Sequence, residues 1–173
     1  MNGFILLIPF LTIRFGLLAF LDKEAVRRAA HFAPMRSGER IAYYIYQVSN
    51  VGIIVYPMML MVRPDFSWKF YLGLACYLLG LCMCAAAIVS FSSPDPTGLT
   101  TKGIYKFSRN PMYVAYFLCF MGMAFLTQSL VLLLIVLVFQ ISAHWIILAE
   151  ERWCIGKFGE AYRRYMKSVR RYI

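Results

Sequence analysis

Apolar positions run almost unbroken through five stretches of the chain, about residues 3–21, 41–62, 70–91, 112–127 and 130–149. Each approaches the roughly 20 residues with which a helix crosses a bilayer, and the polar segments between them are short. The pattern predicts an all-α fold: a multi-span membrane helix bundle of about five transmembrane helices, forming a single integral-membrane domain. Beyond residue 149 the pattern takes on a helical period. Phe158, Tyr162, Tyr165, Met166 and Val169 recur at one face's spacing, which predicts a C-terminal amphipathic helix docked on the bundle or the membrane. Residues 22–40 show a weaker version, with Val26, Ala29, Ala30, Phe32 and Ala33 opposite basic residues. That segment is expected to lie on anionic headgroups as a surface helix. The N-terminus lacks a basic flank and a small-residue cleavage site, so the first stretch reads as a retained span.

Local signals refine the elements. Gln47, Ser49 and Asn50 are expected to hydrogen-bond to neighbouring helices, and the small residues Gly73, Ala75, Gly80, Ala85, Ala86 and Ala87 to permit close helix packing. Asn110 has the chemistry of an N-cap, and Pro111 suits the first helical position. The Thr127-Gln128-Ser129 turn makes the last two spans a hairpin whose feet share one membrane face. Arg109–Tyr113 and Glu150–Glu151 are therefore expected to be neighbours. Two acids at a helix C-terminus oppose its macrodipole, so the fifth helix is expected to continue past them, with breaks at Gly156 and Gly159.

Charge supports this topology. The chain carries +10 with 61% hydrophobic and 15% charged residues. Fifteen of the 18 Lys and Arg fall in the loops after spans 1 and 3 and in the tail. Only Arg63 and Lys69 lie on the other side, and Arg14 sits within span 1. Positive charge stays inside, which puts the C-terminus and the 92–111 loop in the cytosol. The basic excess thus reads as topology, with no nucleic-acid partner. The five cysteines, Cys76, Cys82, Cys84, Cys119 and Cys154, show no paired spacing, and no metal site is expected. Nothing in the pattern specifies an oligomeric state.

The candidate chemistry lies at the cytosolic feet. A helix starting at Pro111 presents free N–H groups that attract carboxylates and phosphates, and Arg109 adds a bidentate donor. Arg14 either pairs within the bundle or marks a functional site. His144 is a satisfied intramembrane histidine or a proton acceptor. A small transporter with Arg14, Gln47 and Asn50 along its path is a competing reading, but the polar residues cluster at the surface and few lie at mid-depth.

Gly103-Ile104-Tyr105, Arg109-Asn110-Pro111-Met112-Tyr113, Glu150-Glu151, Phe158-Gly159 and Tyr162-x-x-Tyr165 stand in an order that resembles the isoprenylcysteine carboxyl methyltransferase and phospholipid methyltransferase superfamily. The resemblance covers about residues 92–173, which it marks as a cofactor-binding methyltransferase core behind the N-terminal spans of 1–91. It implies methyl transfer from S-adenosyl-L-methionine to a lipophilic, membrane-embedded acceptor. It assigns cofactor contacts to Thr97, Gly98, Leu99, Thr100, Tyr105, Asn110, Pro111, Met112, Tyr113 and Glu150, with Arg109, Tyr113 and Glu150 as the catalytic group. Two departures bear on the acceptor. Asn110 stands where many members have His, and Ile146 where the prenylcysteine enzymes hold the substrate carboxylate with Arg. Phospholipid amines, thiols and another lipid acid therefore stay open as acceptors. So does a member that has lost methyl transfer and serves as a membrane-binding protein.

Overall fold

The computed structural model describes residues 1–29 and 33–173, apart from the side chains of Glu24 and Ala29. Among these residues seven helices appear, in the order α1 (Gly3–Leu21), α2 (Lys23–Ala29), α3 (Arg40–Val55), α4 (Trp68–Ser92), α5 (Pro111–Thr127), α6 (Leu130–Phe158) and α7 (Glu160–Ser168). Among the described residues there is no strand beyond one isolated bridge between Asn2 and Met61. α1, α4 and α6 are long and apolar enough to cross a membrane, and α5 is a shorter apolar helix.

The helices pack in the order α1, α4, α5, α6, α3. A run of aromatic rings crosses four of them. Phe10 of α1 meets Tyr116 and Phe120 of α5 edge-on at 5.3 and 4.9 Å, Phe120 meets Phe139 of α6 at 5.5 Å, and Phe139 stacks on Tyr46 of α3 at 5.0 Å. Such pairs add to the burial of the rings themselves. The most extensive interface, α4 on α5, is closer still. A Cβ added at Gly80 would lie 2.5 Å from the backbone nitrogen of Cys119, and one at Gly122 2.5 Å from that of Tyr77. The small-residue stripe of α4 therefore brings backbone against backbone. Gly80→Ala is expected to force the helices apart at a cost of about 1–3 kcal/mol, read as a fall in the apparent melting temperature of the detergent-solubilised protein.

Three expectations change. The second hydrophobic stretch, expected helical over 41–62, is an α-helix only to Val55. A 3₁₀ turn over Tyr56–Met59 follows, and Leu60 is extended. Pro57 has no N–H to continue the ladder, and the carbonyl of Leu60 instead accepts from Gly3 N at 2.8 Å. In the 22–40 segment the helix spans only Lys23–Ala29, and Ala25 is fully buried. Val26 packs on the core and Ala33 is buried, so this face looks inward and not onto headgroups. Ala30 and Phe32 lie outside the described residues. Gln47, Ser49 and Asn50 hydrogen-bond within their own helix, to Tyr43 Oη, the Ile45 carbonyl and the Tyr46 carbonyl.

α6, the helix of the fifth apolar stretch, does continue past its acids, as expected. It runs 29 residues, about 44 Å at 1.5 Å per residue, longer than the roughly 30 Å hydrocarbon core. Gly156 does not interrupt it, because a lone glycine weakens a helix without ending it. Gly159, at φ +54°, does end it. α7 then turns Tyr162 and Tyr165 inward, where they pack with Leu99, Phe158, Met166 and Val169. The predicted tail stripe is this cluster.

Candidate active site

A cavity of about 250 Å³ lies where α5 and α6 meet the 95–106 loop and α7. The loop is shaped by Asp95. One carboxylate oxygen of Asp95 accepts from the Thr97 and Leu99 N–H groups at 2.9 and 3.0 Å and from the Thr97 hydroxyl at 2.6 Å. Gly98 sits at φ +87°, a conformation that only glycine holds without strain. Thr97 therefore faces Asp95, while Gly98, Leu99 and Thr100 border the cavity. Gly103, at φ +59°, approaches α4 so closely that a Cβ there would collide with the Ser90 side chain. Tyr105, in the turn that Gly103 begins, is buried, its carbonyl accepting from the Tyr165 hydroxyl. Burial pushes the Tyr105 phenol far above its ordinary pKa, so it is a neutral group.

The Thr97 hydroxyl bond, with the loop N–H groups, holds Asp95 below the usual carboxylate range. Its folded pKa is depressed, so its contribution is complete above pH 3.8 and is lost as pH falls through the lowered value. Asp95→Ala is expected to loosen the loop and to weaken S-adenosylhomocysteine binding roughly fivefold by calorimetry.

Adjacent acids on α6 are separated by about 100° around the helix, and they do different things. Glu150 faces the cavity, where one of its oxygens accepts from the Tyr113 hydroxyl at 2.8 Å. Glu151 is 3% exposed and tied on both oxygens. Arg109 Nε and Nη2 donate to one oxygen at 3.1 and 2.9 Å, and Arg171 Nε and Nη2 to the other at the same distances. The bond to Glu151 pushes the Arg171 pKa up. Arg109 Nη1 also donates to the carbonyls of Met166 and Val169, both at 2.9 Å. Asn110 Nδ2 reaches the Arg171 carbonyl at 3.1 Å, and His144 Nδ1 contacts the Tyr172 hydroxyl at 2.7 Å. These bonds clasp the tail against the feet of α5 and α6.

Arg109 borders the cavity, but its donors are engaged by Glu151 and the tail. Asn110 stands at the N-cap position without capping: its side chain makes no bond to the helix N–H groups. Met112, Tyr113 and Glu150 border the cavity, whereas Pro111 is fully buried beneath it and Thr97 lies outside. Sequence reasoning gives no site role to several other wall residues. Tyr46, Trp153 and Lys157 line the same cavity, with Lys157 Nζ 4.6 Å from the Trp153 ring. Tyr116 lines it as well, and so does Arg14, for which the sequence leaves a functional role open. The visible signal for Arg14 is a charge within an apolar span.

The architecture defines a class: a membrane helix bundle with an acid–phenol pair in a cavity at one end, roofed by a loop and an amphipathic helix. The phospholipid methyltransferase family model matches residues 68–161, more than half of the chain, and the chain belongs to that family. With its long apolar helices it is an integral membrane protein of a methyltransferase family. No curated protein matches the chain.

Proposed function

We propose that the chain transfers a methyl group from S-adenosyl-L-methionine to a lipophilic acceptor drawn from the bilayer, with the cavity and the tail on the cytosolic side. The supporting observation is Glu150. It is a carboxylate aimed into the cavity with one oxygen engaged by Tyr113 and no partner for the other among the described residues. That donor set suits the cofactor, which presents an ammonium, ribose hydroxyls and a sulfonium: a carboxylate for the first two, and the rings of Tyr105 and Tyr113 for the third. The positive end of the α5 dipole suits its carboxylate. Bound there, the cofactor supplies the methyl group, and no protein nucleophile is required.

The chain's own work is then placement and exclusion of water. Glu150 and Tyr113 hold the cofactor, and Gly98, Leu99 and Thr100 close over it. Met112 and Tyr105 form the wall. Arg109, Asn110, Thr97 and Pro111 act through other groups in this reading: Arg109 and Asn110 hold Glu151 and the tail, Thr97 shapes the loop, and Pro111 starts α5. Residues 92–173 carry most of the cavity, and the N-terminal spans add to its walls. Ile146 is fully buried in the core, so it offers nothing to a carboxylate, which disfavours a prenylcysteine acid held at that position.

Calorimetric titration of the detergent-solubilised protein with S-adenosylhomocysteine tests this reading. Micromolar binding is expected. A folded protein that takes up no S-adenosylhomocysteine would remove it.

A further inference from the structure

Arg14 lies on α1 in a six-residue π-helical turn, Thr12–Leu17, set between α-helical segments. Such turns inside a helix mark local rearrangements and recur at functional sites. One residue added to the α register rotates the remainder of the helix by about 100°, so the turn decides where Arg14 points. It points into the cavity. The guanidinium carbon sits 5.4 Å from the Phe15 ring centroid and 5.7 Å from that of Tyr116. Among the described residues, no carboxylate pairs with it.

Of the other charges of the wall, Lys157 is exposed and lies over the Trp153 and Phe158 rings, and the rest are matched differently. Glu151 is held by Arg109 and Arg171, and Arg28 by Asp22. Glu150 is the acid left over, and in the proposed function it receives the cofactor's ammonium. Arg14 is then a cation flanked by ring faces, attracted through space by Glu150 on the same cavity but joined to it by no ion pair. Burying a charge without a partner is unfavourable. Depth points the same way. Arg14 lies seven residues before the end of α1, and Tyr116 lies five residues past the start of α5. Both are roughly 7–10 Å along their helices from the end at which Glu150 and the 95–100 loop sit. The cofactor enters from that end, so Arg14 belongs to the deeper part of the cavity, reached from the hydrocarbon.

We propose that Arg14 is a binding residue for the acceptor, and that the acceptor carries an oxyanion which this guanidinium holds. The inference rests on the methyltransferase reading of the same cavity. A lipid phosphate and a lipid carboxylate share this chemistry, since both offer two oxygens to a guanidinium fork. A lysine would supply charge without the fork. Tyr116 beneath it supplies a ring face that keeps the guanidinium extended.

The test uses the full chain in an uncharged maltoside detergent, saturated with S-adenosylhomocysteine. Dodecyl phosphate, laurate and dodecylamine are titrated by calorimetry into the wild type, Arg14→Lys and Arg14→Gln. At least one anionic probe is expected to bind the wild type, to weaken tenfold or more in Arg14→Gln, and to be partly restored in Arg14→Lys. Dodecylamine binding is expected not to fall in either variant. The ratio of dodecyl phosphate to laurate affinity tells which oxyanion is preferred. S-adenosylhomocysteine affinity is expected to stay within threefold in both variants, which also shows that they fold. Anion binding that is absent from the wild type, or equal in Arg14→Gln, overturns the inference while leaving the methyltransferase reading intact. A parallel loss of S-adenosylhomocysteine binding makes Arg14 a cofactor residue and also overturns it. A wild type that binds no S-adenosylhomocysteine rejects the methyltransferase reading and takes this inference with it.

Discussion

Glu150→Gln is expected to weaken S-adenosylhomocysteine binding by roughly 100-fold, about 3 kcal/mol, the scale for removing one member of a desolvated charge pair. The substitution keeps the size of the side chain and can still accept from Tyr113 Oη, which now donates to Glu150 at 2.8 Å. What it removes is the negative charge that faces the cavity. Tyr113→Phe removes a neutral partner of that acid and is expected to cost less, about tenfold. The ordering of the two is informative. A carboxylate that binds the cofactor makes Glu150→Gln the worse variant, whereas a carboxylate that merely anchors a phenol makes them equal. Calorimetry on both, with circular dichroism as a check on folding, separates these outcomes. Binding within threefold of wild type in Glu150→Gln would remove Glu150 from the site.

Glu151→Gln is expected to act on the fold. Neutralising this acid leaves Arg109, whose side chain is 7% exposed, without its counter-charge. Breaking a buried ion pair by removing one partner costs about 3–5 kcal/mol. For a chain of this size that corresponds to a fall of roughly 10 °C in melting temperature. Arg171→Ala is expected to do less, because Arg171 is 32% exposed and Arg109 continues to satisfy Glu151. S-adenosylhomocysteine affinity is expected to drop with Glu151→Gln as well, since the clasp holds α7 and through it Leu99. Trypsin sensitivity of the basic tail gives an independent readout. A melting temperature within 2 °C of wild type would show that the clasp does not hold the tail.

Long-range order is where sequence reasoning meets its limit. Hydropathy locates α1, α4, α5 and the start of α6 within a few residues, because a near-continuous apolar run has few other solutions. It overextends the second stretch, since an apolar run such as Tyr56–Met61 looks helical until Pro57 and the pairing of Leu60 with Gly3 are seen. The motif residues largely share one cavity, but their partners are not readable from the chain. Arg109 resembles a free anion donor because its acceptors, the carbonyls of Met166 and Val169, lie 57 and 60 residues away. Asn110 looks like a cap for the same reason, although its side chain reaches the tail. Asp95 is legible in principle: Asp-Pro-Thr-Gly is a turn in which an Asx side chain bonds its own backbone. Arg14 stands out as a charge, but a π turn leaves no mark in composition, so its direction does not.

The glycine seam between α4 and α5 has a mechanical consequence. Two helices whose backbones touch at Gly80 and Gly122 cannot slide past each other without first separating, since no flexible side chain lies between them to rearrange. Shear between packed helices ordinarily proceeds by small side-chain adjustments. α4 and α5 therefore move as one rigid body, and any widening of the cavity comes from the elements around that pair: α1, α3, α6, or the roof formed by the 95–106 loop and α7.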